Sequence, residues 1–221
     1  MRFLDMARRQ DARAPRPRPY LVTEVVDDAD TLLRWLKPAL DVADVAAVLL
    51  RLQDGDERSL INIIKRVTPI AQAGGAALLL DGRPELVARS GADGAHLGGF
   101  AAFDAARGGL QPDRIAGVGG LFTRHDAMLA AELSADYVMF GEPDENGHRP
   151  AFPSIAERVE WWSEVFETPC VGHAATLEEV TMLVEAGADF VALGEFVWKD
   201  TQGSVAAVAS AASRLQPVEL V

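Results

Sequence analysis

The sequence predicts an α/β fold, a single (β/α)8 TIM barrel preceded by an extended N-terminal arm. Three observations carry this. Short apolar runs alternate with amphipathic stretches along the chain, the pattern of a parallel sheet covered by helices. One segment recurs three times: Gly-Ala-Asp-Gly-Ala-His-Leu-Gly at 91–98, Ser-Ala-Asp-Tyr-Val-Met-Phe-Gly at 134–141 and Gly-Ala-Asp-Phe-Val-Ala-Leu-Gly at 187–194. No glycine-rich dinucleotide fingerprint follows the first strand, which disfavours an open doubly wound sheet. The arm takes residues 1–19, where 13–19 alternates proline, arginine and alanine and reads as extended chain rather than helix. The barrel domain takes 20–221.

In chain order, strands are predicted at 20–23, 46–52, 76–80, 94–97, 115–118, 137–141, 170–172 and 190–193. They are short runs of Val, Leu, Ala and aromatic residues, the filling of a sheet buried on both faces. Helices are predicted near 29–40, 57–74, 83–90, 103–107, 123–133, 154–166 and 176–186, with a last one at 204–215. In the recurring segment, Gly91, Ser134 and Gly187 end a helix where a left-handed residue is needed. Asp93, Asp136 and Asp189 then stand in the turn that starts each strand, at the bottom of the barrel, where a carboxylate braces the turn. The closing glycines, Gly98, Gly141 and Gly194, lie at the opposite strand ends, where a missing side chain lets a ligand or backbone approach.

The chain has 221 residues, about half of them apolar, and a net charge of −12. That charge argues against nucleic acid and anionic membranes as partners. An anionic ligand would depend on a local cationic or N–H-rich pocket. Cys170 is the one cysteine, so an intramolecular disulfide is excluded and a reducing compartment is expected. No apolar run reaches the roughly 20 residues of a membrane-spanning helix, and the N-terminus lacks a signal-type apolar segment. These features predict a soluble, cytoplasmic protein acting on a small molecule.

Such barrels place their active sites at the C-terminal strand ends. There the sequence offers Glu24, Arg51, Asp81, His96, Gly98, Gly119, Gly120, Glu142, Gly172, His173, Ala174, Ala175, Gly194 and Glu195. Arg51, Asp81, His96, His173 and Glu195 are the catalytic candidates, and the others are expected to contact ligand. Arg51 either pairs with Glu24 or Asp81 or holds an anion. Asp81 either caps the next helix from a tight turn or serves as acid, base or cation ligand. His96 is either a hydrogen-bonded core histidine or part of the site. His173 has room beside Gly172, Ala174 and Ala175 to orient a substrate, with Thr176 capping the next helix. Glu195 would need a partner if buried, and Asp81, Glu142 and Glu195 would hold a cation if they converge. His125 and His148 fall in a helix start and a polar loop, where surface roles are expected. The loop 142–153 is either a lid or an irregular surface connection.

The chain also resembles a known family. Tyr-Leu-Val-Thr-Glu at 20–24 looks like the opening strand of thiamine phosphate synthases, and Asp-Gly-Ala-His-Leu-Gly at 93–98 resembles their Asp-Gly-Val-His-Leu-Gly segment. The segments 135–141 and 186–193 match two more in order, so the resemblance spans about 20–198. The group includes the TenI-like thiazole tautomerases. The resemblance implies a transferase of thiamine biosynthesis. It would couple hydroxymethylpyrimidine pyrophosphate to thiazole phosphate with Mg2+, and homo-oligomers would be expected. Departures from the family pattern are specific. Leu49, Arg51 and Gln53 stand for Gln-x-Arg-x-Lys, and Asp81-Gly82-Arg83 stands for Asn-Asp-Arg, leaving Asp81 as the remaining metal-ligand candidate. The second metal aspartate falls at Ala101. Gly119-Gly120 replaces a serine, and an acidic stretch from Glu142 replaces a Thr- and Lys-containing loop. Ala174-Ala175 replaces a Gly-Gly phosphate clamp, and Glu195 replaces a phosphate-capping serine. The tautomerase histidine falls near Phe122, three residues from His125. These replacements predict that the standard synthase reaction is weakened or lost. The alternatives are a ligand-binding or regulatory barrel, or an enzyme for a non-phosphorylated substrate.

Overall fold

Alternation along each strand sends neighbouring side chains to opposite faces, and here the two faces become two cores. The computed structural model of the chain describes residues 16–144 and 146–215. Among the described residues the order is β1 (Arg18–Val26), α1 (Ala29–Val42), β2 (Ala47–Leu52), α2 (Glu57–Ala73), β3 (Ala77–Asp81), α3 (Pro84–Ser90), β4 (Gly94–Gly98) and α4 (Phe100–Leu110). There follow β5 (Ile115–Gly119), α5 (Arg124–Glu132), β6 (Tyr137–Phe140), α6 (Phe152–Val165), β7 (Cys170–Ala174), α7 (Leu177–Glu185), β8 (Phe190–Leu193) and α8 (Ser204–Arg214). All strand pairings are parallel, and β1 pairs with both β2 and β8, closing the barrel.

One parity of each strand points to the axis. Tyr20, Leu49, Leu79, Ile115, Tyr137, Met139, Val171, Phe190 and Ala192 form this inner core. The other parity, with Leu50, Leu80, Leu97, Val118, Phe140, Ala174 and Leu193, meets the helices in the larger outer core. Continuing the inward parity one step past the inner core brings each strand to its mouth residue.

The recurring segment does what its chemistry predicts. Gly91, Ser134 and Gly187 have φ of 84°, 62° and 87°. The carboxylates of Asp93, Asp136 and Asp189 accept the backbone N–H of Leu78, Ala116 and Cys170 at 2.8, 2.9 and 2.8 Å. Each aspartate at the foot of an even strand therefore ties down the odd strand before it. A fourth brace completes the set: Asp44, ahead of β2, pairs with Arg18 of β1 at 2.6 Å.

Boundaries differ in a few places. β1 begins at Arg18, so the last two residues of the predicted arm belong to the barrel, while residues 1–15 lie outside the described residues. β1 also runs on to Val26, through a register shift between Val22 and Val25 opposite β2. Thr23 Oγ1 stitches this irregularity by accepting the Arg51 N–H at 3.0 Å, and the Trp198 indole donates to the Val22 carbonyl at 2.9 Å. α4 extends through Gly108 and Gly109 to Leu110 instead of stopping at Arg107.

Candidate functional site

The strand mouths surround a cavity of about 500 Å³. Of the predicted site residues, Glu24, Arg51, Asp81, His96, Gly98, Glu142, His173, Gly194 and Glu195 line it. Gly119, Gly120, Gly172, Ala174 and Ala175 do not. Gly172 and Ala174 have the outward parity, and a Cβ on Gly172 would lie 2.6 Å from Leu183 of α7. Gly119 lies beneath Glu142, where a Cβ would meet the carboxylate at 2.2 Å, and Gly120 packs on Gly98 and Gly99. Of the closing glycines, Gly98 faces open space, but Gly141 makes room for Ile155 and Gly194 for His173.

A chain of hydrogen bonds runs from the barrel axis into this cavity. Tyr20 Oη lies 2.8 Å from Tyr137 Oη, which lies 2.9 Å from His96 Nδ1, and His96 Nε2 lies 3.1 Å from Glu142 Oε2. With Nε2 protonated and donating to the carboxylate, Nδ1 accepts from Tyr137 and the Tyr137 oxygen accepts from Tyr20, so each group is satisfied. Tyr20, Tyr137 and His96 are buried, and the Glu142 side chain is 21% exposed. Burial keeps both phenols protonated by raising their pKa well above the ordinary value. For His96, burial resists charging, but the Glu142 carboxylate, by charge and hydrogen bond, and Asp81 beyond it hold the pKa above the usual histidine value. The relay needs space that only glycine leaves: a Cβ on Gly117 would fall 2.0 Å from the Tyr137 ring.

His173 behaves in the opposite way. Burial and the nearby Arg149 charge pull its pKa down to about 4, so the ring is neutral at neutral pH. Its Nδ1 is buried with no hydrogen-bond partner among the described residues. Thr176 caps α7 as predicted, accepting the Glu179 N–H at 3.2 Å.

The remaining candidates resolve individually. Arg51 Nε pairs with Asp81 Oδ2 at 3.4 Å. Asp81 does not cap the next helix: the cap position of α3 is Arg83, and it makes no side-chain cap hydrogen bond. Glu195 is exposed and bonded to Lys199 one turn on, so the condition of burial under which it would need a partner is not met. His125 and His148 lie on the surface. Among the described residues the wall therefore carries Glu24, Asp81, Glu142, Asp144 and Glu195 against Arg51 and Lys199, and both cations are already paired.

Sequence reasoning missed Arg149. It leaves the loop after β6 and joins three elements: Nε donates to the Gly141 carbonyl at 2.8 Å, Nη2 donates to the His173 carbonyl, and the guanidinium grips the Glu179 carboxylate at 3.0 and 2.8 Å. The same carboxylate accepts the Ala175 N–H at 2.7 Å. A negative side chain of the protein itself thus sits at the start of α7, where N–H groups and the helix dipole favour an anion. The spacing Thr176-x-x-Glu179 is that of a capping box and was readable; the cationic partner from a distant loop was not. The loop 142–153 is held to the barrel by Arg149 and folded on itself by Asp144, whose carboxylate accepts the Asn146 and His148 N–H groups at 2.8 Å.

The described helices include none long and apolar enough to cross a membrane. Comparison with known proteins gives a consistent set of relatives. A family model described as thiamine monophosphate synthase matches residues 19–197. A thiamine-phosphate synthase of Rhodospirillum centenum is 40% identical over 195 residues, covering 87% of this chain and 94% of that one. One of Hyphomonas neptunium is 37% identical over 208 residues, with coverages of 90% and 94%. Among solved structures, a thiamine phosphate pyrophosphorylase from Pyrococcus furiosus superposes with a TM-score of 0.71 at 17% identity, covering 90% and 95% of the two chains. An orotidine 5'-phosphate decarboxylase from Pyrococcus horikoshii gives 0.63 at 12%, covering 90% of this chain and 100% of that one, so these likenesses speak for the barrel alone.

Proposed function

The chain belongs to the thiamine monophosphate synthase family, and on that premise we propose that its cavity binds an unphosphorylated thiamine-precursor heterocycle, with the standard pyrophosphate-releasing coupling largely lost. The observation that carries this reading is the Glu179 carboxylate on the Ala175 N–H, locked there by Arg149. Family resemblance puts a phosphate clamp at this strand end, and here an internal anion takes its place. A second carboxylate a few ångströms from a phosphate would cost on the order of 1–4 kcal/mol at effective dielectrics of 80 to 20.

The residues also do not make the magnesium seat that the resemblance implies. Asp81 is paired with Arg51, and Ala101, at the second position, offers no side-chain oxygen. Among the described residues no group of three acidic, histidine or cysteine side chains is placed to hold a metal. In this reading Arg51 orients Asp81, Glu142 and His173 contact the ring, and the acidic mouth admits neutral or cationic ligands.

Two measurements test it. An unphosphorylated thiazole alcohol should raise the melting temperature, while its phosphate ester should not. With both phosphorylated precursors and magnesium, product formation should be no faster than in an Arg51→Ala control. A second reading, the ordinary synthase, is favoured by the 40% identity to the Rhodospirillum centenum protein over most of both chains. Steady thiamine phosphate production well above that control would establish the second reading and remove the first.

A further inference from the structure

Glu142 carries chemistry that lies outside the family pattern. Its carboxylate is the cavity end of a buried relay built from four separate parts of the barrel: Tyr20 in β1, His96 in β4, Tyr137 in β6 and Glu142 just after β6. Two glycines in β5, Gly117 and Gly119, clear the space for Tyr137 and Glu142. The carboxylate is bonded on Oε2 and borders the cavity, so it is held in place with acceptor capacity to spare. Beside it in the same wall stands buried His173, whose Nδ1 has no hydrogen-bond partner among the described residues.

We infer that Glu142 recognises a planar amidine-type edge on the ligand, two N–H donors on one carbon, and that His96 is the positioning residue that controls when Glu142 is free to do so. The inference rests on the proposed reading of the cavity as a heterocycle site and names the chemical edge that enters first. A carboxylate pairs with a planar fork of N–H donors through two parallel bonds, which a lone hydroxyl or phosphate cannot reproduce.

His96 supplies the control. The groups facing it are Glu142, Asp81 from β3, Tyr137 from β6 and, through Tyr137, Tyr20 from β1; β5 presents only Gly117 and Gly119. When His96 is protonated it forms an internal ion pair with Glu142 and competes with a cationic ligand. When it is neutral, Glu142 keeps its full charge for the ligand. Affinity for a cation of fixed charge should therefore rise as pH climbs through the raised His96 pKa.

Benzamidine is a suitable probe, being planar and charged throughout the range from about pH 6 to about pH 9, in which a histidine changes state. Calorimetric titration of the full chain should show benzamidine binding that strengthens across this range. Glu142→Gln, which keeps the shape, should weaken it about tenfold or more at the alkaline end, as loss of a charge-assisted fork does. His96→Gln keeps a donor for Glu142 but cannot ionise; it should bind as tightly as the alkaline wild type and lose the pH dependence. A purely structural role for His96 would instead lower affinity equally at all pH values. Wild-type binding that is absent, or that Glu142→Gln leaves within about twofold, overturns the inference. A thiazole alcohol titrated alongside separates the two ideas: if it binds while benzamidine does not, the cavity reading stands and this inference falls.

Discussion

At the scale of single residues, the two buried histidines respond to pH in opposite directions, and this can be measured. The folded-state pKa of His173, about 4, lies below its ordinary value of 6.5. As pH falls through 6.5 the unfolded chain takes up a proton that the folded ring refuses, so stability drops until about pH 4 and then levels. The full loss is on the order of 3 kcal/mol for a shift of this size. His96 has a raised pKa, so its contribution is complete below 6.5 and fades as pH rises through the raised value. Below 6.5 His96 adds no slope, and comparison with a His173 variant cancels the carboxylates that titrate in the same limb, Asp189 with its raised pKa among them. In urea unfolding at pH 4.5 and 7, His173→Gln should lose clearly less stability on acidification than wild type; parallel losses in the two proteins would refute the assignment. At this scale the sequence was readable by parity. Counting inward by twos, Leu49 leads to Arg51, Leu79 to Asp81 and Ala192 to Gly194, and all three reach the cavity. The same count excludes Gly172 and Ala174, which their position at the strand end had suggested. The meeting of Tyr20 and Tyr137 was not readable, because it joins residues 117 positions apart and depends on barrel closure.

At the scale of elements, the recurring Ala-Asp segment is a joint between consecutive strands. Each copy combines a left-handed residue that stops a helix with a carboxylate that reaches back to the previous strand's first N–H groups. That logic was legible because it is local: helix stop, turn, brace and strand lie within one short segment. The fourth brace, Asp44 to Arg18, was hidden because its donor is the side chain of a β1 residue rather than a strand N–H. The brace also predicts a graded series. Asp136→Ala leaves the buried Ala116 N–H without its carboxylate and should cost about 1–3 kcal/mol, the penalty for an unsatisfied buried donor. Asp136→Asn retains an acceptor oxygen and should recover most of that loss. Urea denaturation at neutral pH decides it: an alanine variant within about 0.5 kcal/mol of wild type, the range of ordinary surface substitutions, would show that the brace is decorative.

At the scale of the whole molecule, charge organises the mouth as it does the chain. A net charge of −12 repeats at the cavity, where carboxylates outnumber cations and both wall cations are paired. Arg149 is a third cation close by, and Glu179 spends it internally while also covering the Ala175 N–H. Removing that one carboxylate should change the sign of the nearest subsite without touching the cavity wall. Glu179→Ala leaves the Arg149 charge without its ion pair, its Nη1 without an acceptor and the Ala175 N–H ahead of α7 open, the elements of an anion seat. The wild-type protein should show no stabilisation by inorganic phosphate beyond that of equal ionic strength in chloride. The variant begins less stable, having lost a part-buried ion pair, but phosphate should restore stability progressively. At ten times its dissociation constant the gain would be about 1.4 kcal/mol, or roughly 3–6 °C in melting temperature for a chain of this size. Comparing each protein with its own chloride control cancels the difference in starting stability. If phosphate raised both melting temperatures equally, the Ala175 seat would be open in the wild type. The internal carboxylate of Glu179 would then no longer support the proposed loss of a phosphate clamp at this strand end.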